Sequence, residues 1–213
     1  MKIAVFQFCL FGINTYIAWD EESLECAIID PGMINDREEK AITDFIERNH
    51  LTVKHLLNTH LHVDHAVGNG FVISGYDVKT EASEKDAFLG KHLTSQLENF
   101  GIPREAKGVE IGITLRDGDK IDLGKSHLDV IEVPGHSPGG LAFYSPDGHF
   151  LISGDSLFNG SIGRTDLPGG NHHQLVNSVR EKLLSLPAET VVYPGHGDPT
   201  TVGYERNHNP FLR

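Results

Sequence analysis

The spacing of apolar residues changes several times along the chain, and each change predicts an element. Residues 2–8 alternate around Ile3, Val5 and the phenylalanines and predict a strand. Residues 14–19 predict a second strand and 24–30 a third, a largely apolar run suited to a strand covered on both faces. A hairpin or meander therefore starts the chain. Asp36 followed by Glu39 resembles a capping box, and the stripe Ala41, Ile42, Phe45 and Ile46 behind it predicts a helix to about residue 49. Residues 53–58 predict the next strand, and 83–99 one or two helices. Asp117-Gly118, Leu123-Gly124 and Pro146-Asp147-Gly148 then punctuate apolar runs at 111–115, 127–133, 140–145 and 149–153, a hairpin-like series. Leu175, Val176, Val179 and Leu183 mark a last helix, ended by Pro187.

Two sheets face to face with helices outside would bury both the strand faces and the helix stripes, although periodicity by itself specifies only a mixed α/β fold. The 213 residues contain no linker, low-complexity tract or repeat of fixed period, so a single domain spanning 1–213 is expected. A formal charge of −12 argues against a nucleic-acid surface, which needs clustered Lys and Arg. With no basic-then-apolar leader and no apolar run of membrane-spanning length, the expected location is the cytoplasm, with no membrane partner. Cys9 and Cys26 are too few for a disulfide framework and lack metal-ligand spacing, so both are expected to be buried free thiols.

The chemistry lies in Thr59-His60-Leu61-His62-Val63-Asp64-His65, where three imidazoles and one carboxylate fall within six consecutive positions. These are ligand types that divalent zinc, iron and manganese accept, and their number suits two ions rather than one. His60 and His62 would point to one side of an extended backbone; Asp64 and His65 can face a second ion if the chain bends there. Three further candidates, His136, Asp155 and His196, each follow a short apolar, β-branched-rich run and have Gly immediately before them, the composition of a strand ending in a turn. His50, His55, His92, His127, His149, His172, His173 and His208 lack this context.

The pattern T-H-x-H-x-D-H, followed by His136, Asp155 and His196 in that order, resembles the metallo-β-lactamase superfamily at all seven positions. The resemblance implies a four-layer αββα sandwich with its metals at one edge between the sheets. It implies that His60, His62 and His136 hold a first ion and Asp64, His65 and His196 a second, with Asp155 bridging. Asp30, in Ile28-Ile29-Asp30-Pro31-Gly32, matches an acidic position that supports the site, and it also reads as an Asp-Pro-Gly turn. Segments 154–166 and 195–211 resemble the short form of the glyoxalase II-like group, the hydroxyacylglutathione hydrolases. Asp155 separates the chain from the β-lactamases, and Ser156, Leu157 and Phe158 stand where quorum-quenching lactonases place a tyrosine. The helical domain with which the long enzymes hold glutathione is not expected within residues 1–213.

What the resemblance implies is a binuclear hydrolase with two divalent ions, zinc foremost and iron or manganese as alternatives. Its partner would be a small 2-hydroxyacyl thioester. Two such ions can hold a bridging water and acidify it enough for hydroxide to attack the thioester carbonyl near neutral pH. Asp64 and Asp155 are the catalytic carboxylates of this reading, Asp64 orienting the nucleophile. With thiol pKa values of about 8.5, the leaving thiolate needs no dedicated acid. The alternative is a mononuclear iron persulfide dioxygenase on the same fold. Arg164 and Asp166 are expected to pair with each other, while Phe158, Tyr193, Tyr204 and His208 are weaker candidates for lining a substrate pocket. The sequence sets no expectation for oligomeric state.

Overall fold

Two six-stranded sheets face each other in the computed structural model, which describes residues 1–102 and 106–213. The first sheet takes its strands in chain order: β1 (Lys2–Gln7), β2 (Asn14–Trp19), β3 (Glu25–Ile29), β4 (Thr52–Leu57), β5 (Thr80–Ala82) and β6 (Ile113–Thr114). The first three pair antiparallel, and β3 through β6 run parallel. Parallel neighbours need crossovers. Helix α1 (Asp36–Arg48) supplies the first, α2 (Val63–Ala66) and α3 (Asn69–Tyr76) the second, and α4 (Ala87–Gly90) with α5 (Leu93–Asn99) lie on the third.

The second sheet begins as an antiparallel meander of β7 (Lys120–Leu123), β8 (Ser126–Glu132), β9 (Leu141–Ser145) and β10 (Phe150–Gly154). A small ribbon of β11 (Leu157–Phe158) and β12 (Ser161–Ile162) follows, then α6 (His172–Ser178), which continues as a π-helical turn over Val179–Leu183. The chain returns through β13 (Val191–Pro194), parallel to β10, and closes with β14 (Thr200–Thr201) and α7 (Val202–His208).

Period-two alternation assigns each strand residue to a layer. Tyr16, Ala27 and Ile29 face Leu128, Phe143 and Ile152 across the space between the sheets. Their neighbours Ile17, Cys26 and Ile28 face outward against Ile42 and Ile46 of α1, which explains why residues 26–29 are apolar without interruption. On the far side, Leu175, Val179 and Leu183 cover Leu151 and Val192. The result is the expected αββα order. Each such aliphatic or aromatic side chain, fully buried, contributes about 1.5–3 kcal/mol.

Several local expectations are corrected. The cap of α1 is Asn35, whose Oδ1 accepts from Glu38 N at 3.1 Å, rather than Asp36. The carboxylate of Glu38 turns back to accept from Ile34 N and Cys9 N, both at 2.9 Å. Cys9 is exposed on the loop after β1 rather than buried; Cys26 is buried, and desolvation pushes its thiol up to about 12. The expected strand at 111–115 shrinks to the two residues of β6. Among the described residues, no helix is long and apolar enough to cross a membrane.

Candidate metal centre

The segments that leave β3, β4, β8, β10 and β13 converge at one edge of the sandwich and bring all seven expected residues together. Asp30 ends β3 with φ 52°, a left-handed turn that Asp tolerates. Its buried carboxylate accepts from Thr59 N at 2.7 Å, Thr59 Oγ1 at 2.6 Å and His65 Nδ1 at 2.9 Å. Turn and support are thus both served by Asp30. The glycines before Asp155 and His196 also find their reason. A Cβ on Gly154, itself at φ 51°, would land against Thr59, and one on Gly195 against Asp155 and His65. Only glycine lets these strand ends approach so closely.

The last of the converging segments is stitched to the first hairpin. Asn14 N donates to Gly195 O at 2.8 Å, Tyr16 Oη to Pro194 O at 2.6 Å, and Asn14 Nδ2 to Gly197 O at 2.9 Å. A second tie joins the first motif to the His136 loop. The buried Asp86, in the 3₁₀ turn before α4, accepts from Ser137 Oγ at 2.7 Å and Gly139 N at 2.6 Å, with Leu61 N at 3.4 Å. Burial raises this carboxyl despite those donors.

Three sets of potential ligand atoms lie within 4.8 Å of one another: His60, His62 and His136; Asp64, His65 and His196; and His60, His65 and Asp155. Most of the rings are aimed by a second partner. Thr59 Oγ1 gives its own proton to Asp30 and so accepts from His60 Nδ1 at 3.1 Å; His136 Nδ1 donates to Arg164 O at 2.7 Å and His196 Nδ1 to Phe11 O at 3.2 Å. Each of these rings, like that of His65, thereby turns its Nε2 to the centre. His62 is turned the other way, its Nδ1 lying 2.9 Å from His136 Nε2.

Asp155 reaches both halves: its Oδ1 lies 3.3 Å from His65 Nε2, and its Oδ2 lies 3.6 Å from His136 Nε2 and 3.7 Å from His196 Nε2. Asp64 Oδ2 is 3.1 Å from His196 Nε2. Yet His60 Nε2, His65 Nε2 and Asp155 Oδ1 are buried without a hydrogen-bond partner. An unsatisfied buried polar atom costs about 1–3 kcal/mol, and several converging on one point fit a divalent cation.

Charge in the cluster is divided. Burial, followed by neighbouring imidazoles, holds His60 well below its ordinary value, and His62 is held at about 3, leaving both in the neutral form that coordinates metal. Around His65, burial opposes protonation, but the carboxylates of Asp30, Asp155 and Asp64 outweigh it and raise the ring well above the ordinary value. Burial likewise opposes ionisation of Asp64 and Asp155, and adjacent histidines, His65 first, hold both below the usual carboxylate range. This half of the cluster demands positive charge.

A cavity of about 450 Å³ opens above His62, Asp64, Asp155 and His196. Of the weaker pocket candidates, none lines it. Tyr193 packs on Tyr16 between the sheets at 5.8 Å, Tyr204 stacks on His208 at 4.6 Å, and Phe158 only approaches the His196 ring at 6.4 Å. Arg164 pairs with Asp166 at 2.7 and 2.8 Å, as expected. The aromatic residues that do line the cavity, Phe11 and Phe100, carry no sequence signal that marks them. His55, His127 and His149 stand outside the cluster.

Residues 10–196 match the family model of the Metallo-beta-lactamase superfamily. Hydroxyacylglutathione hydrolase GloC of Haemophilus influenzae is 35% identical over 100% of this chain and 98% of its own length. The solved structure of BLEG-1 B3 metallo-beta-lactamase has a TM-score of 0.88 at 32% identity and covers 99% of both chains. TTHA1623 in a di-iron-bound form has a TM-score of 0.86 at 32% identity, covering 98% of this chain and 100% of its own. ETHE1 from Myxococcus xanthus has a TM-score of 0.79 at 26% identity, covering 99% of this chain and 84% of its own.

Proposed function

Because the chain belongs to the metallo-beta-lactamase superfamily, we propose that it is a metal-dependent hydrolase of small 2-hydroxyacyl thioesters. The observation that carries this reading is the position of Asp155, one carboxylate within 3.7 Å of imidazoles from both the His136 and the His196 sides. His60 Nε2, His62 Nδ1 and His136 Nε2 would hold one ion, and Asp64 with the Nε2 atoms of His65 and His196 a second, with Asp155 shared. Zinc suits this set, as do iron and manganese, and the di-iron form of TTHA1623 supports a pair of ions on this architecture. The full-length likeness to a protein named hydroxyacylglutathione hydrolase supports the thioester as substrate.

Bound dications supply Lewis acidity at a carbonyl oxygen and water acidified enough to attack near neutral pH. The chain's own residues do the rest. Asp64 lines the cavity and accepts a hydrogen bond from the attacking water, fixing its direction. Asp30 holds His65 in place and Arg164 O holds His136, so neither ring has to reorganise during the reaction. The thiolate leaves unprotonated, since its pKa of about 8.5 makes it a good leaving group.

A mononuclear iron persulfide dioxygenase is the second reading, and the likeness to ETHE1 fits it. Elemental analysis of protein purified without added metal, with thioester hydrolysis and persulfide-dependent oxygen uptake assayed side by side, separates the two. Two ions per chain with hydrolysis is the expected result. One iron with oxygen consumption would replace this proposal by the rival.

A further inference from the structure

The shape of the cavity bears on what the acyl group is attached to, a question that rests on the thioesterase reading above. A 2-hydroxyacyl group such as lactoyl has only a handful of heavy atoms, whereas a cavity of about 450 Å³ is the size that takes a drug-sized ligand. With the carbonyl held at the carboxylate and imidazole floor, most of the remaining space must receive the thiol carrier. That space has an apolar wall of Phe11, Leu89, Phe100, Leu167 and Pro168.

Phe11 lies on the loop between β1 and β2, and Phe100 caps α5, yet their rings meet edge to face with centroids 4.9 Å apart. Each remains 48% exposed. Paired aromatic rings left open to water over a polar floor are a surface that an apolar ligand would cover. Charge points the same way. Among the described residues lining the cavity, Arg164 is the one permanent cation, and Asp166 already engages its guanidinium through two hydrogen bonds.

We propose that Phe11 and Phe100 form a thiol-carrier subsite that selects uncharged, apolar or aromatic thiols over an anionic peptide thiol such as glutathione. The carrier's apolar body would lie against the two rings while its sulfur stays at the floor. Ground-state contact of this kind acts on KM and leaves the chemical step alone.

The test uses lactoyl thioesters of phenylmethanethiol, N-acetylcysteamine and glutathione on protein shown to hold two zinc ions per chain. The expected order of kcat/KM is benzyl first and glutathione last, with the difference lying in KM. In Phe11→Ser and Phe100→Ser, both at half-exposed positions, the benzyl-to-N-acetylcysteamine ratio should fall about fivefold each, as expected for removing one aromatic contact. Phe100→Leu should restore part of it.

A lower KM for the glutathione thioester than for the benzyl one would overturn the proposal, as would a ratio unchanged in both serine variants. A reciprocal series fixes N-acetylcysteamine as the thiol and exchanges lactoyl for mandeloyl. Sensitivity to the serine substitutions confined to that series would assign the rings to the acyl group and overturn the proposal too. If hydrolysis persists while the carrier preference is absent, only the subsite falls; if two-zinc protein hydrolyses no thioester, the thioesterase reading falls with it.

Discussion

The carboxylate of Asp86 accepts a hydrogen bond from the Ser137 hydroxyl at 2.7 Å, and through it the loop carrying His60 and His62 is fastened to the loop carrying His136. The same carboxylate takes Gly139 N at 2.6 Å, so it holds the turn on both sides of Pro138. Asp86 lies within no ligand set, and its effect is on where the imidazoles stand. On the proposed two-ion reading, Asp86→Ala in zinc-loaded protein should weaken one ion about 10–100-fold, the range found when outer partners of metal ligands are removed. The other ion should be held nearly as before, and Asp86→Asn, which keeps an acceptor oxygen, should recover part of the loss. Competition with a chromophoric chelator reads both affinities; equal weakening of the two ions would count against this assignment.

Asp155→Ala removes the carboxylate that reaches both halves of the centre. On the proposed function, metal content should fall below two ions per chain and thioester turnover by at least about 10²-fold, with the circular dichroism spectrum of the folded protein retained. Two retained ions with near-normal turnover would show that Asp155 is not shared between them.

His127 and His149 serve as controls. His127 lies near Asp129 on β8 at 3.4 Å, and His149 precedes β10 with φ 52°. His127→Ala should leave both ions in place. For His149 the informative change is to Asn, whose short polar side chain tolerates the left-handed backbone. Loss of an ion from either variant, read by elemental analysis, would enlarge the ligand set.

His55 and Glu81 join the adjacent strands β4 and β5, with Nδ1 and Oε1 at 2.7 Å. Burial lowers the tendency of His55 to protonate, but the hydrogen bond and charge of Glu81 outweigh it, and its pKa is raised above 6.5 in the folded protein. A group raised on folding stabilises fully below its unfolded pKa and loses that contribution as pH climbs through the folded value. The stability difference between the wild-type protein and His55→Gln should therefore be larger at about pH 5.5 than at about pH 8.5, by on the order of 1 kcal/mol. Urea unfolding at the two pH values, with zinc in excess, measures it; a larger difference at the alkaline end would reverse the assignment.

The seven residues of the centre were legible in the sequence because ligation restricts residue type, and the glycines before Asp155 and His196 answer to close approaches that no other residue permits. The mixed α/β class was legible because β2 and β3 carry apolar residues on both faces and α1 on one, whereas the four-layer order followed only from the family resemblance. Helix α3 was not legible, for Gly70 and Gly75 lower its local propensity and its apolar residues form no stripe. Asp86 reads in the sequence as one more acidic residue in a helical stretch; its role depends on partners at 137 and 139 that only the fold brings near. Phe11 and Phe100 escaped for the same reason, and Tyr193 misled because a strand residue beside a ligand points inward to Tyr16.

The stitching of Pro194, Gly195 and Gly197 to Asn14 and Tyr16 sets an order of assembly. A chain emerging from the ribosome displays His60, His62, Asp64 and His65 long before His196 exists, and the hairpin made first must wait for the segment that docks on it last. Contacts of such sequence separation form slowly. Until His136, Asp155 and His196 have been made, the early histidines and Asp64 are thus an incomplete ligand set. The cluster is complete only once the two ends of the chain have closed on each other.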